Sequence, residues 1–285
     1  MMNRTQTLAG ACLAGGLAAA AAAPISAQDA PPAVNNGLLT WSAGADIVST
    51  YMFRGIEQED NGLIIQPYVE VGTPIGDTGA DFFLGTWSSI HSEGTGASGS
   101  GPDNWYEADL YAGVSYAIND QFTVGATFTG FYYPNGSAEN VEEIAFDVGY
   151  DDSEMLGDYA FAPYVLIAFE TKDRGGTEDV YLEIGGEFSA FFIESEDIPV
   201  SLSFPFALGF SIDDYYTDSG GDNEAWGFLK IGVAAGMPLD FIPSDYGTWS
   251  ASAGLDLFFV NDDADLLDDG DDFELVGLLG VGLEY

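Results

Sequence analysis

The chain has 285 residues and a formal net charge of −42, because 47 acidic residues face only five lysines and arginines. This excess of negative charge excludes a nucleic-acid-binding role and opposes contact with anionic lipid surfaces, since like charges repel. An aromatic content of 14% and 37 glycines also exclude a disordered acidic protein, which would lack aromatic residues.

Residues 1–27 have the pattern of a secretory signal peptide that is removed from the mature protein. Arg4 precedes an apolar, alanine-rich stretch, and small residues follow before a predicted cleavage after Ala27. Cleavage there leaves 285 − 27 = 258 residues, 28–285, which we interpret as a single domain. Because Cys12 lies in the leader, the mature chain has no disulfide, which is typical of a bacterial envelope protein with a large hydrogen-bonded framework.

After the leader, apolar residues recur mostly with a period of two, which is typical of β-strands. Turn-like clusters rich in Gly, Asp, Asn, Ser and Pro divide the chain into twelve predicted strands. Their approximate bounds are Leu39–Arg54, Leu63–Thr73, Ala80–Ile90, Trp105–Ala117, Phe122–Tyr133, Glu143–Tyr150, Tyr159–Glu170, Asp179–Phe192, Val200–Ile212, Ala225–Met237, Thr248–Val260 and Phe273–Tyr285. No apolar run reaches the ~18 residues of a transmembrane helix, so a membrane-spanning role requires a barrel.

Each predicted strand has one apolar face and one polar face. In the segment VSLSFPFALGFSI, Val200, Phe204 and Ile212 share one face and Ser201 and Ser211 the other. A soluble β-sandwich would alternate in the same way. Strand lengths near the ~9–11 residues of tilted membrane strands, the export signal and the C-terminal run VGLLGVGLEY favour an all-β fold instead. We predict a transmembrane antiparallel up-and-down β-barrel of about 12 strands in the bacterial outer membrane.

The aromatic residues of the apolar faces cluster toward one end of this predicted barrel. With both termini in the periplasm, that end is the periplasmic one, and it holds Trp41, Tyr116, Phe122, Tyr150, Tyr159, Phe192, Trp249 and Tyr285. A membrane–water interface selects such a belt because these rings are amphipathic. A soluble sandwich offers no reason for the same distribution.

Three segments carry a resemblance to a known family: STYMFRGIEQ, FLGTWSS at 83–89 and YEADLYAGVSY at 106–116. They resemble the Gcw-type conserved exported proteins, also called TorF-family porins, in the elements Ser-x-Tyr-x-Phe-Arg-Gly and Glu-x-Asp-x-Tyr-x-Gly. These elements are carried here by Ser49, Tyr51, Phe53, Arg54 and Gly55, and by Glu107, Asp109, Tyr111 and Gly113. The resemblance covers mainly the first third of the chain and implies an outer-membrane barrel with an assigned pore role and no catalytic residue.

If the apolar faces contact lipid, the polar faces line a lumen rich in carboxylates. The candidate pore-lining residues are Asp46, Arg54, Glu70, Glu107, Asp109, Asp147, Glu183, Glu187, Lys230 and Asp256. Because rings of carboxylates attract cations and repel anions, we expect a passive diffusion channel for small solutes with a cation preference. The alternative is a structural or adhesive barrel whose lumen is filled by side chains and whose acidic external loops bind divalent cations.

Arg54 shares its parity with Asp46, so we expect it on the polar side of the first strand, near the external end. A guanidinium in that place can bind carboxylates in a bidentate fashion, which a lysine cannot reproduce. Ser89, His91 and Glu93 alternate near the end of the third predicted strand and could share a face as nucleophile, base and orienting group. They lie on the predicted lumen side, whereas barrel lipases use the lipid-facing side, so we expect no enzymatic activity.

The acidic segment NDDADLLDDGDDFE offers Asp263, Asp265, Asp269 and Asp271 as weak candidate ligands for Ca²⁺, a hard cation that binds oxygen. A leucine falls on a ligand position of the EF-hand spacing, so we predict no cofactor beyond weak Ca²⁺ binding at the acidic loops. The expected partners are outer-membrane lipid and lipopolysaccharide, and the barrel-assembly machinery through the C-terminal strand. Nucleic acid is not an expected partner.

Overall fold

A computed structural model describes residues 38–172, 179–193, 199–264, 266–267 and 270–285. The predicted signal peptide and its cleavage after Ala27 lie outside these ranges. No helix within them is long and apolar enough to cross a membrane. The helical structure they contain is short, and its α-helical part is α1 (Ser153–Leu156).

In the described residues, twelve strands form one closed antiparallel barrel and two more form a separate hairpin. In chain order the strands are β1 (Thr40–Val48), β2 (Tyr51–Phe53), β3 (Ile56–Glu59), β4 (Ile64–Pro74), β5 (Ala80–His91), β6 (Trp105–Ala117), β7 (Phe122–Tyr132), β8 (Val141–Tyr150), β9 (Tyr164–Lys172), β10 (Val180–Ile193), β11 (Val200–Asp213), β12 (Trp226–Pro238), β13 (Thr248–Val260) and β14 (Phe273–Glu284). The hairpin consists of β2 and β3, which pair only with each other in this part of the chain.

The barrel closes at its first strand. β1 pairs with β4 from Thr40↔Gly72 to Val48↔Ile64, and with β14 from Ser42↔Glu284 to Val48↔Leu278. From β4 to β14, each barrel strand pairs with the next one along the chain. Closure leaves no unpaired edge, and the prediction of a twelve-stranded up-and-down barrel is confirmed.

The outer wall of the barrel is apolar because of the period-two pattern. In β5, Phe82, Leu84 and Ile90 are exposed, whereas Trp87 and His91 point inward and are buried. Exposed apolar side chains continue around the wall and include Leu110, Val114, Phe128, Phe146, Ile184, Ile231, Leu255 and Leu279. A soluble protein buries such a surface, whereas a membrane barrel presents it to lipid.

The two ends of the barrel carry different connections. The loop end carries connections 49–63, 92–104, 133–140 and 214–225, together with the described residues 179, 261–264, 266–267 and 270–272. The terminal end carries connections 75–79, 118–121, 151–163 and 239–247, together with residues 38, 39, 199 and 285. Several residues of the predicted aromatic belt lie at the terminal end, where Tyr116 and Tyr159 are exposed and the rings of Trp41 and Tyr285 are 5.5 Å apart.

The predicted first strand, Leu39–Arg54, is wrong in its second half. β1 ends at Val48, and Ser49 stays on the wall because its amide donates to the Gly277 carbonyl at 2.9 Å and its hydroxyl accepts from the Gly277 amide at 2.8 Å. The chain then bends into the lumen and forms the hairpin of β2 and β3. We call residues 49–63 the plug. β2 has three consecutive apolar residues, Tyr51, Met52 and Phe53, so the alternation ends there, but the pattern alone does not reveal the bend.

Tyr106 departs from simple alternation, which would put it on the lipid-facing side of β6 together with Leu110 and Val114. A register shift opposite the start of β6, between Ser89 and Ile90, places Trp105 on the exposed side and Tyr106 on the buried side. The Tyr106 ring stacks on His91 with a centroid distance of 4.7 Å. This β-bulge re-aims one side chain where the strand enters the loop end.

The lumen has a packed half and an open half. The apolar core lies in the loop half, where residues of the wall, the plug and the long connections meet, including Ile64, Trp87, Phe228, Tyr51, Met52, Tyr216 and Leu266. In the terminal half, many inward positions hold small or charged residues that are partly accessible to solvent, including Ser42, Gly44, Asp147 and Ser252, beside the aromatic side chains of Tyr68 and Tyr164. The plug is therefore what separates the two halves.

Candidate functional site in the barrel lumen

Arg54 lies in the turn of the plug hairpin and forms a bidentate ion pair with Glu143 of β8. Its Nη1 and Nη2 donate to the two carboxylate oxygens of Glu143 at 2.7 and 2.9 Å. Both side chains are buried, with 2% of Arg54 and 1% of Glu143 exposed. We call this pair the latch, because it joins the tip of the plug to the opposite wall in a geometry that only a guanidinium offers.

Aromatic rings surround the latch. The guanidinium carbon lies 4.2 Å from the centre of the Tyr181 ring, which is a cation–π distance, and Nη1 donates to the Tyr215 hydroxyl at 3.2 Å. The Tyr216 hydroxyl donates to the Arg54 carbonyl at 2.7 Å. Burial raises the pKa of both Tyr215 and Tyr216 above the ordinary value, so their phenols stay protonated. The rings exclude water from the latch while supplying polar contacts.

The hairpin turn depends on two residues with left-handed backbone conformations. Arg54 has φ of 50° and Gly55 has φ of 79°. Two successive positive φ angles are the pattern of a tight hairpin turn, in which glycine is favoured. A Cβ on Gly55 would come within 2.6 Å of the Phe228 ring. Glycine therefore serves both the turn and the close approach of the plug to β12.

The arms of the plug contact further acidic residues of the wall. The Tyr51 hydroxyl donates to Glu107 at 2.9 Å, and the Thr50 hydroxyl donates to Glu274 at 2.6 Å. Asp109 follows Glu107 on the same face of β6 and is 3% exposed. Its Oδ1 has no hydrogen-bond partner among the described residues. Burying a carboxylate without a hydrogen bond to each oxygen costs free energy, so the burial of Asp109 lowers the stability of the loop half.

His91 links the wall to the plug through a chain of hydrogen bonds. Its Nε2 is 2.8 Å from the Ser89 hydroxyl and its Nδ1 is 2.6 Å from the Thr95 hydroxyl, which donates to Glu59 of β3. Glu59, not the predicted Glu93, thus ends the chain. Ser89 and His91 are buried, with 0% and 1% exposed, so no solute in the lumen reaches the serine in this conformation. This series of hydrogen bonds connects β3 to the barrel wall.

The terminal half contains the carboxylates that solvent reaches. Glu70, Asp147, Glu187 and Asp256 lie on the inward faces of β4, β8, β10 and β13 and are partly exposed. Lys230 points into the same space and lies 3.6 Å from Asp256. Lys230 is buried, with 7% exposed, and among the described side chains it is the only lysine or arginine on the inward faces of the barrel strands. The accessible part of the lumen is therefore strongly negative.

Two further predicted residues lie between these regions. Asp46 of β1 points inward at the position opposite Gly280 of β14 and is 9% exposed. Glu183 of β10 accepts hydrogen bonds from the hydroxyls of Tyr164, at 2.6 Å, and Tyr181. Both carboxylates face the lumen, but Glu183 is occupied by its tyrosine partners.

The latch partner and its tyrosines were not among the predicted site residues. Glu143 shares a strand face with Asp147, which indicates an inward position but not a partner. Tyr215 and Tyr216 lie in the connection 214–225, which is otherwise polar and acidic. Two adjacent aromatic residues in such a segment indicate burial, and this signal could have found them.

The candidate Ca²⁺ segment is only partly described. Asp265 and Asp269 lie outside the described residues, and the exposed Asp263 and Asp271 lie at the loop end. No group of three or more metal-ligating side chains occurs elsewhere in the described ranges.

A family model described as "Bacterial protein of unknown function (Gcw_chp)" matches residues 33–193. This range contains the plug, Glu107, Asp109 and both members of the latch. No protein with a curated description is significantly similar to the chain.

Solved structures of similar outline have low sequence identity to the chain. The NanC porin has a TM-score of 0.46 and 11% identity, covering 85% of this chain and 98% of that one. The outer-membrane channel from Pseudomonas putida F1 has a TM-score of 0.44 and 12% identity, covering 90% and 97%. The translocator domain of the autotransporter NalP from Neisseria meningitidis has a TM-score of 0.40 and 13% identity, covering 88% and 90%.

Proposed function

This chain belongs to the Gcw_chp family of bacterial proteins, and we propose that it acts as an outer-membrane channel for small cations. The observation that supports this proposal is the negative charge of the accessible lumen. The carboxylates of Glu70, Asp147, Glu187 and Asp256 are partly exposed there, and Lys230 is the nearby counter-charge. Carboxylates around a narrow aqueous space concentrate cations and repel anions.

The exterior of the barrel supports insertion into a membrane. Its strands present exposed Leu, Ile, Val and Phe outward, and exposed aromatic residues such as Tyr116 and Tyr285 lie at the terminal end. In outer-membrane barrels such an apolar band is flanked by aromatic residues at the interfaces. We propose that the terminal end faces the periplasm and that the acidic loop end faces outward, next to lipopolysaccharide.

Planar-bilayer recordings of the purified protein under a KCl gradient test the channel. We expect single-channel events whose reversal potential is shifted from zero toward the K⁺ equilibrium potential, because the accessible lumen is negative. The double variant Asp147→Asn, Glu187→Gln should move the reversal potential toward zero. The matched control, Glu93→Gln with Glu139→Gln, removes two exposed loop carboxylates and should leave it unchanged.

The recordings need a second protein in which the plug is absent. In this plug-shortened variant, an Asn-Gly turn replaces residues 50–62, which is feasible because Val48 and Ile64 are already paired. Absence of channel events in both the wild type and the plug-shortened variant would refute the channel. A channel without cation preference would refute the selectivity alone.

A structural or adhesive barrel with an occluded lumen is the second candidate. The observation that favours it is the plug itself, whose Tyr51, Met52 and Arg54 are buried among the residues of the wall. This candidate requires that neither the wild type nor the plug-shortened variant conducts, although both fold and insert into lipid vesicles. We propose no catalytic function, since Ser89 is fully buried and the hydrogen-bond chain of His91 ends on the plug.

Weak Ca²⁺ binding at the acidic connection 261–272 stays a prediction. It is tested by thermal unfolding with and without CaCl₂. A rise in the midpoint at sub-millimolar Ca²⁺ would support a site, because a ligand that binds the folded state stabilises it. An unchanged midpoint up to about 10 mM would remove it, since extracellular Ca²⁺ modules bind at about 10⁻⁴–10⁻³ M.

A further inference from the structure

The barrel wall is complete without the plug. β1 and β4 pair directly at nine positions, from Thr40↔Gly72 to Val48↔Ile64. Within the described residues, β2 and β3 pair with each other and with no barrel strand. The hairpin can therefore leave the lumen without breaking the β-ladder that closes the barrel.

Wall carboxylates hold the plug in place. Glu143 of β8 accepts from Arg54, Glu107 of β6 accepts from Tyr51, and Glu274 of β14 accepts from Thr50. The Glu57 amide adds a backbone hydrogen bond to the Leu266 carbonyl at 2.9 Å, and the Tyr216 hydroxyl donates to the Arg54 carbonyl. Water and mobile cations can replace these polar contacts, whereas the apolar packing of Tyr51, Met52 and Phe53 is lost when the hairpin leaves.

Several features of the plugged conformation oppose its stability. Arg54 adopts a positive φ of 50°, a conformation that costs free energy in a residue with a Cβ. Its Nε and the Oδ1 of Asp109 are buried without a hydrogen-bond partner in the described part of the chain. Entry of water on opening of the lumen would satisfy both atoms.

The wall residues beneath the plug are acidic, like those of the accessible lumen. Glu107, Asp109, Glu143 and Glu274 lie on inward faces of the wall in the loop half. With the plug withdrawn, they extend the carboxylates of the terminal half toward the loop end. Burying carboxylates is costly in a permanently packed core, whereas a path for cations uses them along its whole length.

We propose that the plug is a gate, which closes the loop end when Arg54 binds Glu143 and opens a carboxylate-lined cation path when the hairpin swings out. This gate rests on the proposed channel function. Arg54 acts in it as a mobile counter-charge. In the closed state it neutralises Glu143, and in the open state it leaves the lumen net negative.

A reversible tether tests the gate. Cysteines at Glu57→Cys and Leu266→Cys, in a Cys12→Ser background, join the hairpin to the connection 261–272. The backbone hydrogen bond between these residues brings them close enough for a disulfide. Ala43→Cys with Leu283→Cys is the control, because it joins the paired strands β1 and β14 on the outward face of the wall, away from the plug.

The expected result is a loss of channel events in the oxidised plug tether and their return on reduction. The wall control should conduct equally in both redox states. Equal conduction of the plug tether in both states would overturn the gate and leave the channel standing. Absence of events in every protein, the plug-shortened variant included, would overturn the channel and the gate together.

Discussion

The loop half and the terminal half of the lumen are built from the same twelve strands but use their charges differently. In the loop half, Glu143 and Glu107 are buried and each binds a donor from the plug. In the terminal half, Asp147 and Asp256 remain accessible to solvent. The comparison shows that a segment outside the wall decides whether an inward carboxylate is a structural partner or part of an aqueous surface.

Glycines influence how much of the lumen stays free. The Tyr68 ring lies against Gly44, and the Tyr164 ring against Gly185, so that an added Cβ would come within 2.6 and 2.4 Å of these side chains. Each ring thereby lies flat on the neighbouring strand and leaves the centre of the barrel free. In the loop half, by contrast, the Phe228 ring packs onto Gly55 of the plug and helps to fill the lumen.

The largest difference in the free energy of unfolding is expected between alanine substitutions of the two basic residues, Arg54 and Lys230. Arg54→Ala leaves Glu143 buried without its partner and should lower the free energy of unfolding by about 3–5 kcal/mol. Lys230→Ala also removes a buried side chain, but its Nζ lies 3.6 Å from an Asp256 carboxylate that keeps contact with solvent, so the loss should be smaller than that of Arg54→Ala. Urea titration of the protein in lipid vesicles measures both. Equal losses in the free energy of unfolding would show that the latch contributes no more to stability than the Lys230–Asp256 pair.

The same contrast extends to glycines. Gly55→Ala places a Cβ against Phe228 at a positive φ and should lower the free energy of unfolding by about 2–3 kcal/mol. Gly149→Ala, in the terminal half, meets no atom within 4 Å and should be neutral or slightly stabilising. The same urea titration compares the two alanines, and a neutral Gly55→Ala would mean that the plug is not seated on β12.

A smaller effect is expected from a single hydroxyl. Tyr51→Phe removes the donor of Glu107 beneath the plug and should cost about 1.5 kcal/mol, since hydrogen bonds to charged groups contribute about 1.5–3. Tyr116→Phe makes the same chemical change on the exposed outer wall and should cost nothing measurable. Limited proteolysis of connection 49–63 should also accelerate in Tyr51→Phe only.

The smallest effect is expected at the terminal end. Tyr285→Ala removes the ring that lies 5.5 Å from Trp41 and should lower the free energy of unfolding by about 0.5–1.5 kcal/mol, the usual contribution of an aromatic pair. Its backbone hydrogen bonds with Trp41 are unaffected. A loss as large as that of Arg54→Ala would contradict the expectation that the buried ion pair contributes more to stability than this aromatic pair.

Much of the wall could be predicted because its pattern is local. Trp105–Ala117 and Thr248–Val260 match their predicted bounds, since turn residues flank a clean alternation. The inward parity of Asp147 and Asp256 also follows from alternation. The latch could be predicted only in part: the scarcity of basic residues drew attention to Arg54, but no local signal named Glu143 as its partner.

The amino-acid sequence by itself determined the closed barrel, its apolar exterior and its acidic interior, because a strand's two faces are set by residues two positions apart. Only the tertiary structure decided that residues 49–63 turn inward. Arg54 meets Glu143 across 89 residues and Tyr215 across 161 residues of the chain. Such contacts depend on the diameter and register of the assembled barrel, which no short segment of sequence contains.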